Sequence, residues 1–394
     1  VYAINFLWAP LIDRIRIPFI TNILGHRKAW IVTMQFLILV SLIIWSFLNP
    51  IDDLAIIITF GLIIAISSAS QDITIDALRI EQIGKDESAA MAAGAATAVV
   101  GWWSGYKLGG LITLLTAEWI QSLGYINYWQ ISFIIICSIV ILCNIGLFFI
   151  PEAGTNERSQ SQQKDQSDIQ DKIGIPGVLS RLISWFMATI VSPLFSFFKK
   201  NGVTIGLSIL GFIFLFKIGE AFLGRMSILF YKEIGFSKSD IAFYSKGLGW
   251  ITTVTFTLIG GWFAIRSGVV KALFISGAIM ALTNLMFTYL AWSGKSELIF
   301  AAAVLLDDLA AAFATVAFVT FISMLVDRNY TATQYALLAS IGTAGRTLMA
   351  SSSGSLVDWL NGDWGMFFII TALMVIPSLV LLWFIRKKII LNEA

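Results

Sequence analysis

Apolar stretches of membrane-crossing length follow one another along this chain from its first residue almost to its last. About 20 consecutive apolar residues cross the hydrocarbon core as a helix. Inside that core only helices and closed barrels satisfy every backbone N–H and C=O. Ala29–Leu48, Leu54–Ala77, Ser88–Ala117, Tyr128–Ile150, Gly202–Tyr231, Asp240–Ile265, Ala272–Ser293, Leu298–Val326, Thr331–Val357 and Trp364–Ile385 read as spans, and Val1–Pro10 as a short eleventh. Charged residues make up 13% of the 394, against roughly 25% in soluble domains. The class expected is an all-α integral membrane protein in contact with the lipid bilayer.

The basic residues set its expected orientation. One alternating set of loops carries Arg14, Arg16, Arg27, Lys28, Arg79, Lys85, Arg158, Lys164, Lys172, Arg181, Lys199, Lys200, Arg266, Lys271, Arg328, Arg386, Lys387 and Lys388, which is 18 of the chain's 26 Lys and Arg. The opposite set holds only Lys232, Lys238 and Lys295. The excess of Lys and Arg marks the cytoplasmic side, so the C-terminus is expected inside. An odd number of spans then places Val1 across the membrane. With no initiating Met, this reading expects a further helix upstream of Val1. Gly177–Phe198 is apolar at helical spacing but carries Arg181 and Pro193 and runs into Lys199 and Lys200. A span there would invert every later loop, so it is expected to lie in the interface.

The segment "PEAGTNERSQSQQKDQSDIQDKIGI" (151–175) is polar and reads as a flexible linker. It divides the chain into residues 1–150, a cytoplasmic linker with the interfacial helix over 151–201, and residues 202–394. Five spans precede the linker and six follow. With the upstream helix restored, the halves match at six each.

Ionisable residues are unevenly spread. Ala29–Leu48, Tyr128–Ile150, Ala272–Ser293 and Trp364–Ile385 contain no Asp, Glu, Lys or Arg. Charge inside the membrane faces a bundle interior or a wet cavity, so these four are expected at the periphery and the others around a cavity. The intramembrane acids are Asp72, Asp76, Glu220, Asp307 and Asp308; the bases are Lys107, Lys217, Arg225, Lys246 and Arg346. Asp72 and Asp76 share a helical face that Arg79 continues. Lys217 and Glu220 are three apart and can pair. Asp307 and Asp308 are adjacent and cannot share one partner. An acid that loses its cation in a dry site binds a proton, which makes Asp307 or Asp308 the first expectation for a proton site, then Glu220, then Asp72. A static ion-pair lattice that fixes helix packing is the competing reading. Lys107, Lys217, Lys246 and Arg346 are suited to a carboxylate-bearing solute. Trp102, Trp103 and Trp250 are suited to stacking on sugar faces, or otherwise to anchoring at the interface.

The sole histidine, His26, lies in a polar loop, so an intramembrane His metal site or His base is excluded. Cys137 and Cys143 share one apolar run and report no redox compartment. No nucleophile–base set and no phosphate-binding Gly-x-x-x-x-Gly-Lys-[Ser/Thr] loop is present. No metal, cofactor, nucleic acid or enzymatic activity is expected.

The halves echo one another. "GGWFAIRSGVVKA" around Arg266 and "APLIDRIRIPFITNILGHRKA" around Arg14 occupy matching loops. Both resemble the Gly-x-x-x-Asp-Arg-x-Gly-x-x-basic signature of the major facilitator superfamily. Ile265 stands where the second should have Asp, and an insertion parts Asp13 and Arg14 from Gly25, Arg27 and Lys28 in the first. Asp13, Arg14 and Arg266 in these loops, and Asp76 and Arg79 on their shared helical face, are candidates for gating. "FLWAPLIDR" (6–14), "GHRKAW" (25–30), "SASQDITIDALR" (68–79), "GYKLGG" (105–110), "FKIGEAF" (216–222), "SKGLG" (245–249), "TATQYALLASIGTAGR" (331–346) and "DWGMFFIITAL" (363–373) together resemble AmpG-type muropeptide permeases. The resemblance implies a major facilitator fold of two six-helix halves, here with the first helix missing. It implies a multi-pass protein of the bacterial inner membrane. Its function would be proton-coupled import of anhydromuropeptides from cell-wall turnover. A carrier of acetyl-coenzyme A or another anionic metabolite, and a truncated non-functional product, are the alternatives.

Overall fold

In a computed structural model, residues 1–49, 51–84, 87–152, 156–173, 178–241 and 249–393 are described, and they contain helices and no strand. After a 3-10 turn at Asn5–Leu7 the helices run α1 Ala9–Arg14, α2 Ile20–Leu24, α3 His26–Trp45, α4 Leu54–Gln82, α5 Ser88–Ser122, α6 Tyr128–Phe148, α7 Asn156–Ile173, α8 Val178–Phe186 and α9 Ser192–Asn201. They continue as α10 Val203–Leu215, α11 Ile218–Ile234, α12 Lys238–Ile241, α13 Gly249–Ser267, α14 Val269–Ser293, α15 Glu297–Leu325, α16 Thr331–Ala350, α17 Ser353–Trp359, α18 Trp364–Leu373 and α19 Ile376–Glu393.

Among the described residues, eight helices are long and apolar enough to cross a membrane. Seven coincide with expected spans; the eighth is Ser180–Asn201, expected in the interface. α5, α13 and α16 are helical as expected but less apolar, being richer in Ala, Gly, Ser and Thr. The expected short span Val1–Pro10 is instead a 3-10 turn leading into α1, because Pro10 can start a helix but not sit inside one.

Two compact units emerge. The first comprises Val1–Gln82, Gly105–Lys200 and Val326–Leu337. α3 and α4 pack side by side within it. The Trp45 indole donates to the Ile57 carbonyl at 3.1 Å, and its ring meets Phe133 of α6 with centroids 5.8 Å apart. α6 turns Ile134, Ile141, Leu142, Ile145 and Phe148 outward. That greasy surface is suited to lipid.

The linker departs from the expectation of a flexible chain: Asn156–Ile173 is an α-helix. Those residues include no Gly or Pro and many Gln, Lys and Arg, which favour helix. α7 is also held by partners distant in sequence. The Gln162 amide donates to the Asn329 carbonyl at 2.7 Å, Tyr330 donates to Asp165, and Arg14 donates to Gln166. α8, a π-turn at Met187–Val191 and α9 form one rod that turns Ser180, Ser184, Ala188 and Thr189 inward, while Leu182, Phe186, Ile190 and Phe195 are exposed.

The second unit comprises Ile83–Ser104, Asn201–Leu325 and Leu338–Ala394. Its core is aromatic. The Phe230 ring packs edge-on against Phe368 at 4.7 Å, Tyr231 against Phe300 at 4.6 Å, and Trp364 and Phe287 close the cluster. α14 is embedded on three sides and leaves one apolar stripe exposed: Ile275, Leu282, Leu285, Tyr289 and Trp292. Two helices are broken here. α10 gives way to α11 at Phe216–Lys217, and α18 to α19 at Met374–Val375. A Cβ on Gly219 would stand 2.7 Å from the Thr371 carbonyl oxygen, and one on Gly345 would collide with the Phe214 carbonyl oxygen. Glycine at both places lets backbone approach backbone beside the breaks.

Candidate functional site

The α10–α11 break positions the first group of charges. Lys217 is the residue before α11, and its side chain is buried. Its Nζ lies 3.1 Å from Glu220 Oε2 and donates to Thr315 Oγ1 on α15 at 2.7 Å. A cation at a helix N-terminus is unfavourable by itself; Glu220 in the first turn of α11 offsets it. Asp307 is in electrostatic range of Glu220, Asp308 and Lys217. Asp308 accepts from Thr252 Oγ1 at 2.8 Å. The two neighbouring acids thus face different surroundings, and Asp307 is the one beside the lysine.

Next to this cluster is a cavity of about 300 Å³ lined by Glu220, Ala221, Gly224, Arg225, Arg346 and Thr347. Arg225 and Arg346 are exposed although both lie inside runs that read as membrane spans. Guanidinium groups at that depth require water or a counter-charge. The wall they form is therefore a wet one.

A second group of charges gathers in the first unit. The Arg27 side chain is fully buried and reaches Asp13 Oδ1 and Glu81 Oε1, each at 2.6 Å. Asp13 also accepts from Ala332 N at 3.1 Å, Thr333 N at 2.8 Å and Thr333 Oγ1 at 2.6 Å. It caps the N-terminus of α16, where unpaired N–H groups and the helix dipole favour an anion. Glu152 does the same for α3, accepting from Arg27 N at 2.7 Å and Lys28 N at 3.3 Å. Its side chain lies over Gly25, whose φ of 91° and missing Cβ leave room for it. Nearby, Arg79 pairs with Asp76 at 2.8 Å, and the Tyr335 hydroxyl bonds to both.

Of the expected gating residues, Asp13, Asp76 and Arg79 are thus in these networks. Arg14 donates to Thr189 at 2.9 Å and lies over the Trp185 ring at 5.9 Å. Burial lowers the Arg14 pKa, while Tyr330 and Asp165 oppose that shift. Arg266 is exposed and stacks on Trp262 at 5.0 Å. Asp72 is exposed, one turn from Asp76. Lys107 is half-buried in the first unit. Trp102 and Trp103 meet edge-on at 4.8 Å, and Trp250 donates to Ser104 at 3.3 Å. Lys246 lies outside the described residues.

Sequence reasoning passed over Glu81, Glu152, Thr315 and Tyr335, and read Arg27 as a cytoplasmic loop charge and a part of the first loop signature, with no partner. Glu81 and Glu152 sit at the polar ends of apolar runs, which is the signal that could have found them. Thr315 and Tyr335 give no such signal.

No family model matches the chain. Among curated proteins, the putative transporter AmpG 4 of Rickettsia felis is 31% identical over 389 residues, covering 98% of this chain and 86% of the relative. The anhydromuropeptide permease of Escherichia coli K12 is 29% identical over 390 residues, covering 98% of this chain and 71% of that protein. Among solved structures, the proton:xylose symporter XylE aligns over 98% of this chain and 84% of its own, with a TM-score of 0.65 at 15% identity. The fucose:proton symporter FucP of E. coli aligns over 97% and 88%, with a TM-score of 0.66 at 14% identity. At such identities the likeness carries the fold, which is that of the major facilitator superfamily. With the full-length similarity to AmpG proteins, it establishes this chain as a multi-pass membrane protein belonging to the AmpG family of major facilitator transporters.

Proposed function

We propose that this protein imports cell-wall-derived anhydromuropeptides into the bacterial cytoplasm and couples that import to protons. The observation that carries the reading is the wet, arginine-bearing cavity beside the Lys217–Glu220–Asp307 cluster. A muropeptide offers carboxylates, which suit Arg346 and Arg225. The E. coli relative's name, anhydromuropeptide permease, supports the same substrate class.

In this reading Lys217 is the exchangeable partner. While it holds Glu220, Asp307 stands next to two other acids with no cation of its own, and proton binding relieves the repulsion. If Lys217 turns to Asp307, the proton leaves. Asp308, fixed by Thr252, serves as the fixed neighbour, with Glu220 and then Asp72 as less favoured proton sites. The Asp13–Arg27–Glu81 network and the Asp76–Arg79 pair act as the cytoplasmic lock. The α8–α9 rod lies along the cytoplasmic interface. Supporting this, its middle residue Thr189 meets Arg14, while Ser196 reaches Asp327 at 3.1 Å and Pro193 accepts from Gln334 at 2.9 Å. These partners sit at helix ends, and the middle of a spanning helix would not meet them. The C-terminus then faces the cytoplasm and the membrane is the bacterial inner one.

The test is uptake of labelled anhydrodisaccharide-peptide into vesicles carrying the protein, with and without an imposed proton gradient. Uptake that the gradient stimulates is expected. Absence of that uptake together with uptake of labelled acetyl-coenzyme A would favour the anionic-metabolite carrier instead.

A further inference from the structure

The cavity in the second unit carries both signs of charge in a small space. Glu220 is on one wall, Arg225 one and a half turns along the same helix, and Arg346 with Thr347 on α16 opposite. Glu220 and Arg225 lie within the apolar stretch Val203–Ile234, which is long enough to cross a membrane, and both arginines are exposed. A site for a purely anionic group would not place a carboxylate in its wall, because like charges at close range repel. A site for a neutral sugar would not need two guanidinium groups whose desolvation is costly.

The volume narrows the choice further. About 300 Å³ is at the small end of ligand pockets, which run from roughly 300 to 1,000 Å³. It takes one end of a large solute, not the whole of it. Gly224 has no atom within 4 Å of the position a Cβ would take. The space beside it is open, and its small size keeps the floor of the cavity clear.

From these features we infer that the cavity is a subsite for a zwitterionic amino-acid end: a carboxylate held by Arg346 and Arg225, with Thr347 as a further donor, and an ammonium held by Glu220. The inference rests on the muropeptide reading insofar as it names the peptide portion of that substrate as the occupant; that peptide's N-terminus is spent in its amide link to the sugar, so the ammonium is the side-chain amine of a diamino-acid residue. The arrangement has a consequence for Lys217. Its Nζ is 3.1 Å from Glu220 Oε2, so an arriving ammonium competes with it for the same carboxylate. The displaced Lys217 has Asp307 as an alternative acid within electrostatic range. Occupation of the subsite therefore moves a cation from Glu220 towards Asp307. Binding of the peptide end and proton release from Asp307 become one event.

Two measurements test this. In the first, the purified protein is titrated with the dipeptide alanyl-alanine and with its N-acetylated, C-amidated form, reading thermal stabilisation. The free dipeptide is expected to stabilise and the blocked one not to. Arg346→Gln and Arg225→Gln should each weaken the response about tenfold or more, as loss of a charge-assisted pair does. Gly224→Leu, which fills the cavity without touching a charge, should abolish it. Equal stabilisation by both dipeptides, or none by either, overturns the subsite.

In the second, vesicles are given anhydrodisaccharide carrying a peptide that ends in a diamino acid, with that residue's amine and carboxylate free or blocked. The unaltered protein should favour the free form, and Arg346→Gln should lower uptake of the free form more than that of the blocked form, erasing the preference. An equal fall for both substrates overturns the assignment, because Arg346 then serves transport generally. Dipeptide stabilisation without uptake of either muropeptide would leave the subsite standing and remove the proposed substrate.

Discussion

Replacing Asp13 by Asn isolates what the buried carboxylate does for the start of α16. The carboxylate accepts four hydrogen bonds at 2.6 to 3.1 Å: from Arg27, from the Ala332 and Thr333 amides, and from the Thr333 hydroxyl. An asparagine keeps one acceptor oxygen and turns an NH₂ towards donors. Hydrogen bonds to a charged group contribute about 1.5–3 kcal/mol each, and an anion at a helix N-terminus adds about 0.3–2 kcal/mol. Arg27 keeps Glu81, so its charge is not orphaned. The contact between α1 and α16 should weaken by about 3 kcal/mol, or roughly a hundredfold in the population of opened molecules. Ala332 is fully buried at this contact. In a background with Cys137 and Cys143 replaced by Ala, an Ala332→Cys thiol should react with maleimide at least tenfold faster when Asp13→Asn is present, at unchanged helix content. A rate within twofold of the parent would refute the reasoning, because the four bonds would then contribute nothing to keeping this contact closed.

Arg27→Met leaves Asp13 and Glu81 buried without a cation and should cost about 3–5 kcal/mol, read as lower thermal stability in detergent, with Glu81→Leu in the same chain restoring part of it. Gly345→Ala puts a methyl against the Phe214 carbonyl and should abolish uptake or folding, whereas Gly224→Ala, with open space around it, should preserve yield and thermal midpoint. Asp307→Asn should lose proton-driven uptake and keep gradient-independent exchange; driven uptake surviving in both Asp307→Asn and Asp308→Asn would place the proton site elsewhere. Burial and the bond to Asp165 raise the Tyr330 pKa above its ordinary value of 10.0, so the neutral phenol is the form the fold favours. Its contribution is complete below pH 10 and is lost as pH rises beyond that. Limited proteolysis within α7 should accelerate above about pH 10 in the parent and show no such pH step in Tyr330→Phe.

Much of this architecture is legible in the residue string. A helix in lipid is specified locally: an apolar run of sufficient length must satisfy its own backbone, and no partner is needed to predict that α3, α4, α6, α14 or α15 forms. The same locality made the Asp76–Arg79 and Lys217–Glu220 pairs readable, since three residues is one helical turn. The matching loop signatures and the order of short motifs pointed to the family. The linker shows where that reading stops. Its polarity said that it has no core to join, and its bonds to Arg14, Asn329 and Tyr330 hold it as a docked helix.

Tertiary structure alone decided the partners that charges find on other helices. Asp13 and Thr333 are 320 positions apart, and Lys217 and Thr315 are 98 apart; no periodicity encodes such a meeting. It also decided which charges are wet. Arg27 and Arg346 are the same residue type, yet one is sealed between two acids and the other opens on a cavity. The physical reason is that hydrophobic length is a property of a segment, whereas the energy of a charge in a membrane depends on what other segments bring within a few ångström of it.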